Sequence, residues 1–146
     1  MSNIIIDSRF DSGSIDVMTV HQASAMLRLK NDKDSEFKQW FHFRVANCGG
    51  RELVLKIVGL NDSAYPAGWP DYRAVVSEDR IDWTRADTSY DEGAGVLTIN
   101  VTPVTGAMWI GRLEVLTVLA LLRPEVWRSA HWRAPERVTS ASRADA

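Results

Sequence analysis

The chain has 146 residues, 45% of them hydrophobic and 25% charged, which suits one soluble globular domain with a real core and leaves no room for two full domains. A formal net charge of -2 supplies no basic field for a phosphate backbone, so nucleic acid is not expected as a partner. Cys48 is the only cysteine, which excludes an intramolecular disulfide and a cysteine-rich zinc ribbon and fits a reducing, cytoplasmic compartment.

Three consecutive isoleucines near the N-terminus fall short of the ~7–15-residue apolar core of a signal peptide, and no segment approaches a ~18–20-residue membrane span. Neither export nor membrane insertion is expected. The first turn signal is Asp11-Ser12-Gly13-Ser14. Behind it Ile15, Val17 and Thr19 alternate with Asp16 and Met18, and then Ala25, Leu27 and Leu29 alternate with Met26, Arg28 and Lys30. Both runs have the period of two of a half-buried strand, and the polar stretch from Asn31 to Ser35 ends the second.

Phe37 to Val45 places Phe37, Gln39, Phe41, Phe43 and Val45 on one face and Lys38, Trp40, His42 and Arg44 on the other. Its aromatic and β-branched content predicts a central strand, with Trp40, Phe41 and Phe43 as candidate core residues. The turn Asn47-Cys48-Gly49-Gly50 leads into Glu52 to Val58, where Leu53, Leu55 and Ile57 share a face. This pattern predicts a hairpin from Phe37 to Val58.

Asn61 to Asp71, with two prolines, predicts an ordered loop. Tyr72 to Ser77 and Ile81 to Arg85 then flank the polar turn Glu78-Asp79-Arg80. Val96 to Val101 alternates again, and Ala107 to Ile110 predicts a last strand. Strands recurring at intervals of about 8–12 residues, with no helices between them, predict an all-β fold, an antiparallel β-sandwich of about 8–9 short strands. The composition changes after residue 110. Gly111 to Ala146 carries six arginines and no lysine against four acids, which leaves the first 110 residues at -4. Leu113 to Leu122 predicts a short helix before Pro124, and a frayed or disordered end is expected beyond it. The expected organisation is a sandwich over 1–110 and an atypical tail over 111–146.

Few residues suggest chemistry. None of the three histidines, His21, His42 and His131, has an acid at the third position after it, so no metal site is expected from this chain, and His42 is expected to pack beside Trp40. Cys48 lies in a turn with no evident base, no Gly-x-Ser-x-Gly elbow occurs, and the glycine pairs lack a phosphate-binding frame and read as hairpin turns. Glu78-Asp79 and Asp91-Glu92 read as solvated turn charge. No catalytic residue is predicted. What stands out is a run of aromatics and arginines, in which Trp69, Tyr72, Arg73, Asp79, Arg80, Trp83 and Tyr90 are candidates for an interdomain or ligand-contact surface.

Four stretches carry a resemblance, in order, over about residues 10 to 110: FDSGSIDV from Phe10, LRLKNDKDSEFKQWFHFRV from Leu27, SAYPAGWPDYRAVVSEDRIDWTRADTSYDEG from Ser63 and VLTINVTP from Val96. They resemble the N-terminal β-sandwich domain of the cytosolic-type zinc metallocarboxypeptidases. QWFHF together with YPxGWxxYRAVxSxDRxxW is the specific part.

The resemblance implies a sandwich that precedes and packs on a zinc carboxypeptidase domain, in cis, which hydrolyses C-terminal residues of peptides or protein tails. In that family zinc is held by a His-x-x-Glu pair and a later histidine, all in the second domain, so the implied role is a non-catalytic accessory domain with no cofactor of its own. After Ile110 the sequence departs from the family pattern. The tail has the composition of a shifted reading frame in GC-rich DNA, so a truncated or frame-disrupted gene product is expected, with a genuine short variant as the alternative. Without a partner domain, self-association is expected. The alternative function is a free-standing module that binds carbohydrate or peptide through its aromatic cluster.

Overall fold

The computed structural model describes residues 2–31 and 38–112. The predicted helix over 113–122, His131, the remainder of the tail and Phe37 lie outside the described residues. Among the described residues there are ten strands, β1 (Ile5–Asp7), β2 (Asp16–Val20), β3 (Ser24–Arg28), β4 (His42–Ala46), β5 (Leu53–Val58), β6 (Val75–Ser77), β7 (Thr84–Arg85), β8 (Asp87–Asp91), β9 (Val96–Val101) and β10 (Ala107–Gly111). They make two five-stranded sheets, ordered β1-β4-β10-β6-β7 and β2-β3-β5-β9-β8. The fold is the expected all-β sandwich, and β1 and β8 are the strands beyond those predicted. Both are edge strands, and edge strands bury too little of either face to carry a clear apolar alternation.

The core lies between the sheets. From β4 and its approach come Phe41, Phe43 and Val45, from β5 Leu53, Leu55 and Ile57, from β9 Leu97 and Ile99, and from β10 Met108 and Ile110, all buried. Phe41 and Phe43 sit where the alternation puts them. Trp40 is only half-buried, and this corrects its place among the core candidates. With Phe41 pointing inward, a period of two turns Trp40 the other way. β2 departs from its pattern too: Ile15 is buried, but Val17 is 45% exposed, because the strand lies at an edge and a bulge interrupts its pairing between Val17 and Thr19.

The predicted hairpin does not form. β4 pairs with β1 and β10, whereas β5 pairs with β3 and β9 in the opposite sheet. The turn at 47–50 is therefore an arch between sheets. Asn47 and Gly50 adopt left-handed φ of 57° and 74°, and Cys48, fully buried, donates its thiol toward the Gly106 carbonyl at 3.4 Å. In a hairpin the apolar faces of the two strands would lie side by side, whereas in the arch they face each other across the core. The alternation is the same either way. The pairing of β3 with β5 is parallel, the one exception to the expected antiparallel order among the described residues.

Two loops reach over the outer face of the first sheet. The loop before β2 is tied to β4 by a two-way backbone exchange between Ser14 and His42, at 2.7 and 3.1 Å. Between β6 and β7 the Asp79 carboxylate accepts the N–H groups of Ile81 and Asp82 at 2.8 and 2.9 Å, while the Ser77 hydroxyl accepts those of Asp79 and Arg80. This side-chain capping winds residues 77–82 into a turn, so β7 begins only at Thr84 rather than at Ile81.

Candidate functional site

The predicted aromatic and arginine cluster is divided by the fold. Trp69 and Tyr72 belong to a corner of the core, Arg73 and Tyr90 to a groove beside it, and Asp79, Arg80 and Trp83 to the loop beyond the far end of β6.

Trp69 is fully buried at the end of the 3₁₀ turn Pro66–Gly68. Its indole N–H donates to the Ser63 hydroxyl at 2.8 Å, and that hydroxyl donates to the Leu60 carbonyl at 2.7 Å. The ring stacks on Phe41 with centroids 6.3 Å apart and meets the edge of Tyr72 at 5.9 Å. The Arg112 guanidinium lies 4.4 Å from the Trp69 ring centre and 5.0 Å from that of Tyr72, and donates to the Gln39 carbonyl at 2.9 Å. Burial of this kind strengthens cation–π attraction and fixes the ring plane. Trp69 is therefore a structural residue, which corrects its assignment to a contact surface. Tyr72, 8% exposed, presents only a margin to solvent. A stacking platform for sugar rings loses two of its rings to the core in this way.

The groove next to this corner holds about 420 Å3 and is lined by Tyr72, Arg73, Arg85, Arg112 and Asp71 among others. A second hollow of about 410 Å3 shares the wall from Pro70 to Arg73 and reaches Tyr90 and Glu92. The Arg85 guanidinium donates to the Arg73 carbonyl at 2.7 Å, and Arg73 donates through Nε to the Ala86 carbonyl at 3.4 Å, so the two side chains are tied to each other's stretch of backbone. Burial and the nearby Glu92 and Asp91 raise the Tyr90 phenol above its ordinary range. Arg85 and Arg112 were not among the sequence candidates. For Arg112 the composition itself misleads, because it opens the arginine-rich stretch. In the structure its N–H bonds the Phe41 carbonyl at 3.2 Å, and β10 runs through Gly111, so both residues are part of the sandwich.

On the outer face of the first sheet, His42 is 1% exposed, its ring meeting Phe10 at 5.1 Å and Trp83 at 6.0 Å. Its neighbours are thus not those expected, since the loops bring Phe10 and Trp83 over the strand. Nδ1 lies 3.1 Å from the Ser12 hydroxyl, and Nε2 meets no hydrogen-bond partner among the described residues. Burial pushes the imidazole down to about 3, a hydrogen bond with the Ser12 backbone opposing and the charge of Arg80 adding to the fall. Beside it, Trp109 is flanked by the guanidinium groups of Arg80 at 4.8 Å and Arg44 at 5.4 Å. Trp83 and Arg80 are half-buried here, and Asp79 is exposed with its carboxyl held below its usual range by the Asp82 and Ile81 N–H groups.

Glu78 is not merely solvated turn charge. It accepts both the N–H and the hydroxyl of Thr105 at 2.6 Å, which lower its pKa and pin the β9–β10 connection. Cys48 is a buried turn residue whose thiol is raised by burial. Among the described residues no three His, Cys, Asp or Glu side chains converge as metal donors, and no helix is long and apolar enough to cross a membrane.

The architecture and these motifs have counterparts among known proteins. A carboxypeptidase assignment accompanies a crystal structure from Burkholderia mallei that is 44% identical and superimposes with a TM-score of 0.72 over 76% of this chain and 28% of its own. A metallo-carboxypeptidase from Burkholderia cenocepacia is 37% identical with a TM-score of 0.70 over 74% of this chain, again 28% of its own. An uncharacterized protein of Zymomonas mobilis is 45% identical over 98 residues, 67% of this chain and 25% of that protein. The chain thus spans about a quarter of the length of the relatives it matches. Residues 6–112, nearly the whole sandwich, match the cytosolic carboxypeptidase N-terminal domain, and it is to this domain family that the chain belongs.

Proposed function

We propose that the sandwich is a non-catalytic accessory domain that packs on a zinc carboxypeptidase domain in the cytoplasm, where the assembled enzyme releases C-terminal residues from peptides or protein tails. The observation that carries this reading is the asymmetry of the match. Three quarters of this chain corresponds to little more than a quarter of a metallo-carboxypeptidase, the part its family names as N-terminal.

The chemistry of the described side chains supports it. His42, the buried imidazole, is walled in by Phe10 and Trp83 and stays neutral at physiological pH, and burial of Cys48 beneath the 47–50 arch raises its thiol pKa. Neither lines one of the hollows formed by the described residues. Among the described residues no three His, Cys, Asp or Glu side chains converge, so no step of hydrolysis is given to them, and in this reading the metal and its chemistry lie in the partner domain.

The test is complementation. This chain is expressed together with the portion of the Burkholderia cenocepacia metallo-carboxypeptidase that lies outside its similar segment, with that enzyme's own N-terminal segment as the positive control. The expected outcome is zinc-dependent release of C-terminal residues when the chain is supplied, and none from the chain alone. Zinc-dependent release by the chain alone would overturn the reading.

A further inference from the structure

We infer that the hollow between the 70–73 turn and β8 is a binding site for a small zwitterion of the α-amino-acid class, the chemistry released in the role proposed above, on which this choice of ligand rests. The hollow holds about 410 Å3, within the ~300–1,000 Å3 of small-molecule sites. Asp71 and Arg73 stand on one wall and Glu92 beyond the end of β8, with Pro70, Tyr72 and Tyr90 between them. These opposite charges do not neutralise one another. Neither carboxylate lies within ion-pair distance of the Arg73 guanidinium, and neither accepts a hydrogen bond among the described residues. Arg73 spends only its Nε–H, on the Ala86 carbonyl at 3.4 Å, which leaves its Nη groups for a ligand. Burial and then the charges of Glu92 and Asp91 raise the Tyr90 phenol, so the negative potential of Glu92 reaches this lining.

A ligand with a carboxylate alone meets two like charges here, and one with an ammonium alone meets the guanidinium. A molecule that carries both groups on one carbon satisfies both sides, its carboxylate on the guanidinium fork and its ammonium on the acids. The proline and the two tyrosines supply apolar surface for an aromatic side chain. The walls are fixed beforehand. The Thr88 hydroxyl on β8 accepts the Ala74 N–H at 3.1 Å and donates to the Ala86 carbonyl at 2.9 Å, and the Tyr72 N–H bonds the Trp69 carbonyl at 3.0 Å. A concavity on tied backbone needs little ordering when it binds. The neighbouring concavities lack such unspent charges of both signs. In the adjoining groove Arg112 and Arg85 already donate to the Gln39 and Arg73 carbonyls. In the hollow beside Val76 the Glu78 and Asp79 carboxylates are taken up by Thr105 and by backbone N–H groups.

The test titrates the whole 146-residue chain with L-phenylalanine and, in parallel, with phenethylamine, which lacks the carboxylate, and hydrocinnamate, which lacks the ammonium, followed by the NMR signals of Arg73, Ser89 and Tyr90. L-phenylalanine is expected to bind saturably with a Kd of about 1 mM or tighter, the range open to a ligand of so few atoms. Each analogue should bind at least about tenfold more weakly. Arg73→Gln and Glu92→Gln should each weaken L-phenylalanine binding at least about tenfold, with an unchanged melting temperature because both side chains are exposed. Asp71→Asn, which suits the left-handed φ of 62° at that position, should weaken it as well. Arg73→Lys should retain part of the affinity. An unsaturable titration, equal affinity for either analogue, or undiminished binding in either glutamine variant would each overturn the inference. Silent titrations alongside successful complementation remove the hollow as a site and leave the accessory role. Saturable L-phenylalanine binding without complementation supports the site and removes that role.

Discussion

Acidification tests the placement of His42 directly. The folded chain holds this imidazole neutral down to about pH 3, whereas in the unfolded chain it titrates at its ordinary 6.5. A folded-state pKa below the unfolded value means that the unfolded chain binds the extra proton between those limits. Stability therefore falls as pH drops below 6.5, by about 1.4 kcal/mol per pH unit, and the loss levels off only below the folded pKa. Between pH 7.5 and 4.5 this single group should cost about 3 kcal/mol, a large share of the ~5–15 kcal/mol that holds a domain together.

The carboxyls of Asp7, Glu78 and Asp79 are all held below their ordinary values, so their contribution is present above the unfolded carboxylate pKa and is lost as pH falls through the folded one. They act in a lower window, and a variant that changes only the imidazole leaves them in place. The assay is urea unfolding of the wild type and His42→Phe at several pH values. Phenylalanine keeps a ring between Phe10 and Trp83 and removes the titration. The wild-type stability should fall about 3 kcal/mol further than the variant's over that range. Parallel curves would refute the burial of a neutral His42 and, with it, the closing of the two loops over the first sheet.

The other predictions concern packing and accessibility. Trp69→Ala, which empties the space between Phe41, Tyr72 and Arg112, should cost about 3–5 kcal/mol by chemical denaturation, and Trp83→Ala, at a half-buried site, less than about 2 kcal/mol. The reverse order would show that the second ring, not the first, closes the core. Gly13→Ala should lose about 1–3 kcal/mol, because a methyl group there would overlap the Ser8 carbonyl, its carbon 2.8 Å away, and backbone cannot swing aside as a side chain can. An unchanged melting temperature would place the loop before β2 elsewhere. Cys48 should resist a thiol reagent in native buffer and react promptly in denaturant, since its sulfur is buried and its proton held. Rapid native labelling would argue against the arch.

The sequence by itself determined the strands that line the core and the family. Phe41, Phe43, Leu53, Leu55, Leu97 and Ile99 all occupy the inward positions that their period of two dictates, because alternation records which face of a strand meets the core. The motifs of the 63–93 stretch sufficed to identify the domain, since they combine residues with distinct tasks. Trp69 fills the core corner, while Ser77 and Asp79 wind the β6–β7 turn.

Alternation carries no record of the strand alongside. Backbone N–H and C=O groups pair identically whatever side chains they bear, so only the tertiary structure could place β4 and β5 in opposite sheets and set β3 parallel to β5. The same limit hid the candidate site. Trp69, Arg73 and Trp83 are close in sequence, yet they are divided among the core, the groove and the outer face. Arg112, 39 residues beyond Arg73, is brought to the same groove because β10 lies beside β6. Which charges gather around one hollow is decided by strand order, a long-range property that neither spacing nor composition records.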